Sequence, residues 1–162
     1  LMFGATAYPP AGVAVAPTFG GGFRVEQDTW AIDGNMRFVL LGIEPDGEVP
    51  DEDVAFGGHL NVLRFVAPLA SSTPFYGAGI GYGMMGNAEG DSPVSSGFEA
   101  RGFAGYEWGR NSNMRLFSQL DVTAPLYSTG YEYWSPTIGL SIGFAWKPPP
   151  QRTGLHWTDF FL

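Results

Sequence analysis

The stretch TPFYGAGIGYGMMG, residues 73–86, sets glycine at 77, 79, 81 and 83 and large apolar residues in between. A glycine in a helix interior costs roughly 1 kcal/mol against alanine, so this spacing excludes a helix. In a strand, alternate side chains project to opposite faces. One face then carries Tyr76, Ala78, Ile80, Tyr82 and Met84, and the other is almost bare. A narrow space is expected on the glycine side, and an apolar medium on the other.

The same two-residue alternation runs through the chain. Residues 30–41 set Trp30, Ile32, Met36, Phe38 and Leu40 against Asp33, Asn35 and Arg37. Residues 55–67 set Phe56, Leu60 and Val62 against His59 and Asn61. Residues 97–109 set Phe98, Ala100, Ala104, Tyr106 and Trp108 against Glu99, Arg101 and Glu107. Residues 114–125 and 137–146 repeat the pattern, and two more strands are read at about 2–8 and 13–26. No stretch shows a helical period. Eight strands result, with connections at 9–12, 27–29, 42–53, 68–74, 86–96, 110–113 and 126–133. Tight turns at one end and long polar loops at the other predict an all-β, eight-stranded antiparallel up-and-down barrel. Both termini then fall at the tight-turn end.

Which face lies inside decides the solvent. A soluble barrel hides its apolar face, whereas a transmembrane barrel exposes it to lipid. The polar face here is rich in Gly, Ala, Ser and Thr, with few charges of both signs, and makes a poor water-facing surface. An eight-stranded barrel has an interior only wide enough for side chains to fill, which suits such residues. The apolar face is aliphatic in mid-strand. Trp30, Tyr76, Tyr82, Tyr106, Trp108 and Trp146 are expected at the membrane–water boundary, where Tyr and Trp concentrate. The soluble, lipocalin-like alternative would put the glycine faces in water, and the early G-x-W signature is missing. The predicted class is therefore a transmembrane barrel over 1–147, followed by a Pro-rich, aromatic tail over 148–162 expected on the periplasmic side.

Three registers are expected from charge and size matching. Across 27–29, Arg24 faces Asp33. Across 110–113, Glu107 faces Arg115, Arg101 faces Asp121, and Gly105 faces Phe117. Across 68–74, Phe65 faces Gly77 and Leu63 faces Gly79.

TPFYGAGIGYGMMG, then FEARGFAGYEWGRNSNMRLFSQLDVTAPLY at 98–127, resembles the small OmpA-like and opacity-type outer-membrane barrels. The closing IGLSIGFAW at 138–146 is similar to a terminal strand of such barrels. The resemblance covers about 54–147 and implies insertion in a Gram-negative outer membrane, without implying an activity. Two departures stand out: residues follow Trp146, where an aromatic usually closes the chain, and the 42–53 loop is unusually acidic.

Composition narrows the chemistry. Sixteen acids face one lysine and seven arginines in 162 residues, a net charge of −8, which argues against nucleic acid as partner. There is no cysteine, so thiolate metal sites and thiol nucleophiles are excluded. His59 and His156 are the only histidines, too few for a zinc site. No metal, cofactor or enzymatic activity is expected; a Ser-His-Asp set using Ser95 has no supporting context. Arg24, Asp33, Arg37, His59, Glu99, Arg101, Glu107, Arg115 and Asp121 should form a mixed-sign network filling the lumen. Glu44, Asp46, Glu48, Asp51, Glu52 and Asp53 crowd one outer loop, which could meet a cation or a partner, but the EF-hand spacing is missing. Pro148, Pro149 and Pro150 end the last strand. Leu155, Trp157, Phe160 and Phe161 in the tail could dock on a partner or on the barrel wall.

The reading is a small, plugged outer-membrane barrel with a structural, anchoring or accessory role. Its partners would be outer-membrane lipid and other envelope proteins. The alternatives are a narrow pore or conduit for a small hydrophobic molecule, or a surface adhesin acting through loops 42–53 and 86–96.

Overall fold

A computed structural model describes residues 1–8, 14–40, 53–87, 95–127, 136–146 and 159–161. Strands form wherever apolar and small or polar residues alternate: β1 (Met2–Tyr8), β2 (Ala14–Glu26), β3 (Trp30–Leu40), β4 (Asp53–Phe65), β5 (Ser72–Asn87), β6 (Ser95–Trp108), β7 (Met114–Pro125) and β8 (Thr137–Trp146). Each pairs antiparallel with the next, and β1 closes on β8. The described residues contain no helix. The fold is the closed, eight-stranded antiparallel barrel expected, with a further short strand, β9 (Asp159–Phe161), that the alternation did not reveal.

The faces sort as a lipid-immersed wall requires. Ile80, Phe98, Leu140 and Ile142 are 66, 65, 60 and 58% exposed, whereas Arg24 is 1% exposed. Water would not tolerate that wall, and a soluble barrel would not bury those charges, so the lipocalin-like alternative fails. Trp30, Tyr76, Tyr106, Trp108 and Trp146 gather outside at the tight-turn end, with the Tyr106 and Trp108 rings 4.9 Å apart. Tyr82 lies toward the other end, against Phe98 at 5.8 Å, and the Phe19–Phe38–Phe56 stack continues that second ring.

The glycines of β5 accommodate large inward side chains of adjacent strands. A Cβ at Gly77 would strike the Phe103 ring, at Gly79 the Asn61 amide, at Gly81 the His59 ring and at Gly83 the Glu99 carboxylate. Gly105 and Gly143 make room for Phe75 and Phe117 in the same way. Gly79→Val is therefore expected to destabilise by roughly 1–3 kcal/mol through overpacking. Ala78→Val, on the exposed face beside it, should change little. Urea midpoints of the two variants in detergent micelles provide the comparison.

Two of the three expected registers need correction. The β2–β3 hairpin pairs Arg24 with Asp33 as expected. In β6–β7, Glu107 faces Phe117, Arg101 faces Thr123 and Gly105 faces Gln119. In β4–β5, Phe65 faces Phe75 and Leu63 faces Gly77. Both are two-residue slips, which keep every side chain on its face, so hydrophobic patterning cannot detect them. The turn after β6 helps set that register: Gly109 takes φ +75°, which favours glycine, and accepts a hydrogen bond from the Ser112 amide at 2.9 Å.

Candidate functional site: the charged lumen

Inward positions of β2, β3, β4, β6 and β7 carry the ionisable residues, and barrel closure brings them together across the axis. Nearest the tight turns, Arg24 bridges Asp33 at 3.0 Å and Glu107 at 2.7 Å. Arg115 holds Glu26 at 2.7 Å and Glu107 at 3.3 Å. Arg110, in the turn itself, lies 3.9 Å from Glu26 and stacks on the Phe65 ring at 3.5 Å from its centroid. Burial is the main influence lowering the Arg110 pKa, with Glu26 and Glu107 opposing it; an arginine stays cationic at neutral pH regardless. Phe65, Phe75, Phe103 and Phe117 are buried around this cluster, and Arg24 lies 5.8 Å above the Phe75 ring.

In the middle, Asp121 receives both Arg37 at 2.8 Å and Arg101 at 2.9 Å. Arg37 also donates to Thr123 at 3.2 Å, and Arg101 to Asn35 at 3.2 Å. Toward the long loops, His59 Nε2 lies 2.8 Å from Glu99 Oε2, and the Tyr127 hydroxyl donates to Glu99 at 3.4 Å. All nine residues expected in the lumen network lie in this column. Partners form along diagonals and across the barrel: Arg24–Glu107 and Arg37–Asp121 join non-adjacent strands.

Glu26 and Arg110 complete the network and were missed by sequence reasoning. Glu26 stands two residues from Arg24 on the same strand, a signal that was available. Arg110 lies in a turn, where alternation gives no facing. Counted together, Arg24, Arg37, Arg101, Arg110 and Arg115 oppose Glu26, Asp33, Glu99, Glu107 and Asp121, so the column is neutral when His59 is neutral.

Small cavities remain between these layers. One of about 40 Å³ lies at the loop end between Arg37, His59, Glu99, Met85 and Tyr127, and others of about 20 and 10 Å³ lie deeper. His59 Nδ1 and Thr137 Oγ1 have no hydrogen-bond partner among the described residues, and both residues line the outer cavity. A space of that size and polarity suits a few ordered waters. No serine hydroxyl hydrogen-bonds His59, and no group of three or more His, Cys, Asp or Glu residues could hold a metal, both among the described residues.

The other candidate residues fall elsewhere. Glu44, Asp46, Glu48, Asp51 and Glu52 lie outside the described residues, and Asp53 opens β4. Leu155 and Trp157 are also outside them, whereas Phe160 and Phe161 belong to β9.

No family model matches the chain, and no curated protein does. Among solved structures, the crystal structure of Neisserial surface protein A (NspA) superposes with a TM-score of 0.65 at 12% identity, covering 88% of this chain and 90% of that one. At that identity the likeness speaks for architecture alone: this chain has the fold of a small outer-membrane β-barrel.

Proposed function

We propose that the protein is a closed outer-membrane barrel of the OmpA-like or opacity type, non-enzymatic, with a structural, anchoring or accessory role in the cell envelope. Both termini would be periplasmic, because the strands meet short turns at that end and long connections at the other. The carrying observation is the neutral column of paired charges filling the lumen from Arg110 to Glu99, inside a wall whose apolar residues face outward. Such a column blocks passage of solutes and leaves function to the outer surface and the ends.

Planar bilayer recording tests the closure. Wild-type protein is expected to give no stable openings. The triple variant Arg37→Ser, Arg101→Ser, Asp121→Ser should give small, steady conductance steps. Regular large openings in the wild type would refute the plug. The accessory role is tested by purification from outer membranes in mild detergent, where other envelope proteins should be retained. The conduit reading finds little support: the mouth cavity of about 40 Å³ has room for water but not for a hydrophobic solute. The adhesin reading rests on segments largely outside the described residues.

A further inference from the structure

The outward positions of β1–β8 are apolar or small almost throughout, and among the described residues one of them is charged: Arg64. It is exposed and follows Leu60 and Val62 on the lipid-facing side of β4. The four other strand arginines, Arg24, Arg37, Arg101 and Arg115, point inward and are paired with carboxylates. Directly opposite Arg64 stand Trp30 on β3 and Tyr76 on β5, both in the aromatic ring at the tight-turn end. Opposed side chains in a ladder have Cβ atoms about 4.5–5.5 Å apart. A guanidinium, an indole N–H and a phenol O–H therefore share one patch of the membrane boundary. None of these three side chains has a hydrogen bond or ion pair among the described residues. An arginine stays cationic, and its fork of N–H donors matches a phosphate with two parallel bonds. Trp and Tyr concentrate at headgroup level, where the phosphate within reach belongs to a lipid.

The wall beside this patch is hollow. Ala104 stands opposite Tyr76, and Gly102 opposite Ala78. A Cβ on Gly102 would meet nothing within 4 Å. Val62 and Val122, the next residues on either side of that pair, form its banks. Arg64 is one residue from the end of β4, whereas Ala104 is four from the end of β6. The hollow thus leads from the boundary into the hydrocarbon.

We propose that Arg64, Trp30 and Tyr76 seat one glycerophospholipid of the leaflet at the tight-turn end, with its phosphate on the guanidinium and an acyl chain in the hollow over Gly102. This rests on the lipid-facing wall and the periplasmic tight-turn end proposed above, and it gives the wall a specific lipid partner rather than bulk solvent.

Native mass spectrometry of the full chain in a phosphate-free detergent, titrated with dioleoylphosphatidylglycerol, tests it. Heat-modifiable gel mobility confirms that each variant is folded. The wild type is expected to retain one lipid under activation that strips the others. Arg64→Gln should weaken that binding roughly five-fold, the loss of one arginine contact with an anionic lipid, and Arg64→Lys should recover part of it. Gly102→Leu should weaken it about four-fold for each lipid methylene displaced. Gly58→Leu, at an equally open position away from the hollow, should bind as the wild type does. Equal retention by folded wild type and Arg64→Gln would overturn the proposal. So would displacement of the lipid by excess inorganic phosphate, which would mean a bare anion contact, or a second copy of the chain held in place of the lipid. A wild type that folds and inserts into vesicles yet retains no lipid refutes the seat alone; one that does not insert refutes the membrane reading as well.

Discussion

Asp121→Ala is expected to lower the stability of the folded barrel by roughly 3–5 kcal/mol, the cost of removing one member of a buried ionic group. Asp121 is 2% exposed and is the shared acceptor of Arg37 and Arg101. Each guanidinium keeps a neutral partner, Thr123 or Asn35, but two cations would be left without their common anion. The loss should shift the urea midpoint of the protein in lipid vesicles or micelles, read by tryptophan fluorescence. Asp121→Leu combined with Arg101→Leu should recover part of it, because removing charges from both sides relieves the uncompensated cation. A double-mutant cycle isolates that coupling. A cost below about 0.5 kcal/mol for Asp121→Ala, the range of an ordinary surface substitution, would mean that the column does not hold the strands together.

Ile80→Arg is expected to cost about 2–4 kcal/mol in a bilayer, the penalty for a cation on a barrel wall at mid-depth. Ile80 is on the outer face of β5, between Tyr76 and Tyr82, with Leu60 opposite on β4 and Ala100 opposite on β6. On a protein bathed in water the same change at a 66% exposed position would be close to neutral. The sign of the effect therefore identifies the solvent. Met84→Arg, four residues nearer the loop end on the same face, should cost only about 0–1 kcal/mol, since the penalty falls toward the interface. Equal effects at the two positions, or none at either, would refute a lipid-facing wall.

Strand number, strand order and facing were legible because each depends on a two-residue period that the sequence carries openly. Glycines at 77–83 opposite bulky neighbours identified the crowded side before any contact was visible. The β2–β3 register could be read because three residues leave the turn little freedom. The longer turns at 66–71 and 109–113 allow slippage by two, and no side chain changes face when that happens. Arg24–Glu107 was illegible for another reason: the partners belong to β2 and β6, which approach only when the sheet closes. β9 has three residues, too few for alternation to register, and its partners β2 and β8 are far from it in sequence and near each other only in the closed barrel.

The alternation of short and long connections also sorts the electric charge along the axis. The lumen column is balanced, so the net −8 must come from the rest of the chain. The connections and strand start at the long-loop end hold Glu44, Asp46, Glu48, Asp51, Glu52, Asp53, Glu89, Asp91 and Glu132, without a lysine or arginine. Outside the column, the remaining charges are Asp28, Asp159, Arg64, Lys147 and Arg152, slightly positive in sum. By sequence, the connections that follow the long-loop ends of the strands thus carry the chain's excess of acid. Its reach into solution is set by the Debye length, about 8 Å at physiological ionic strength. An excess of one sign favours approach of the opposite sign, and added salt weakens the effect.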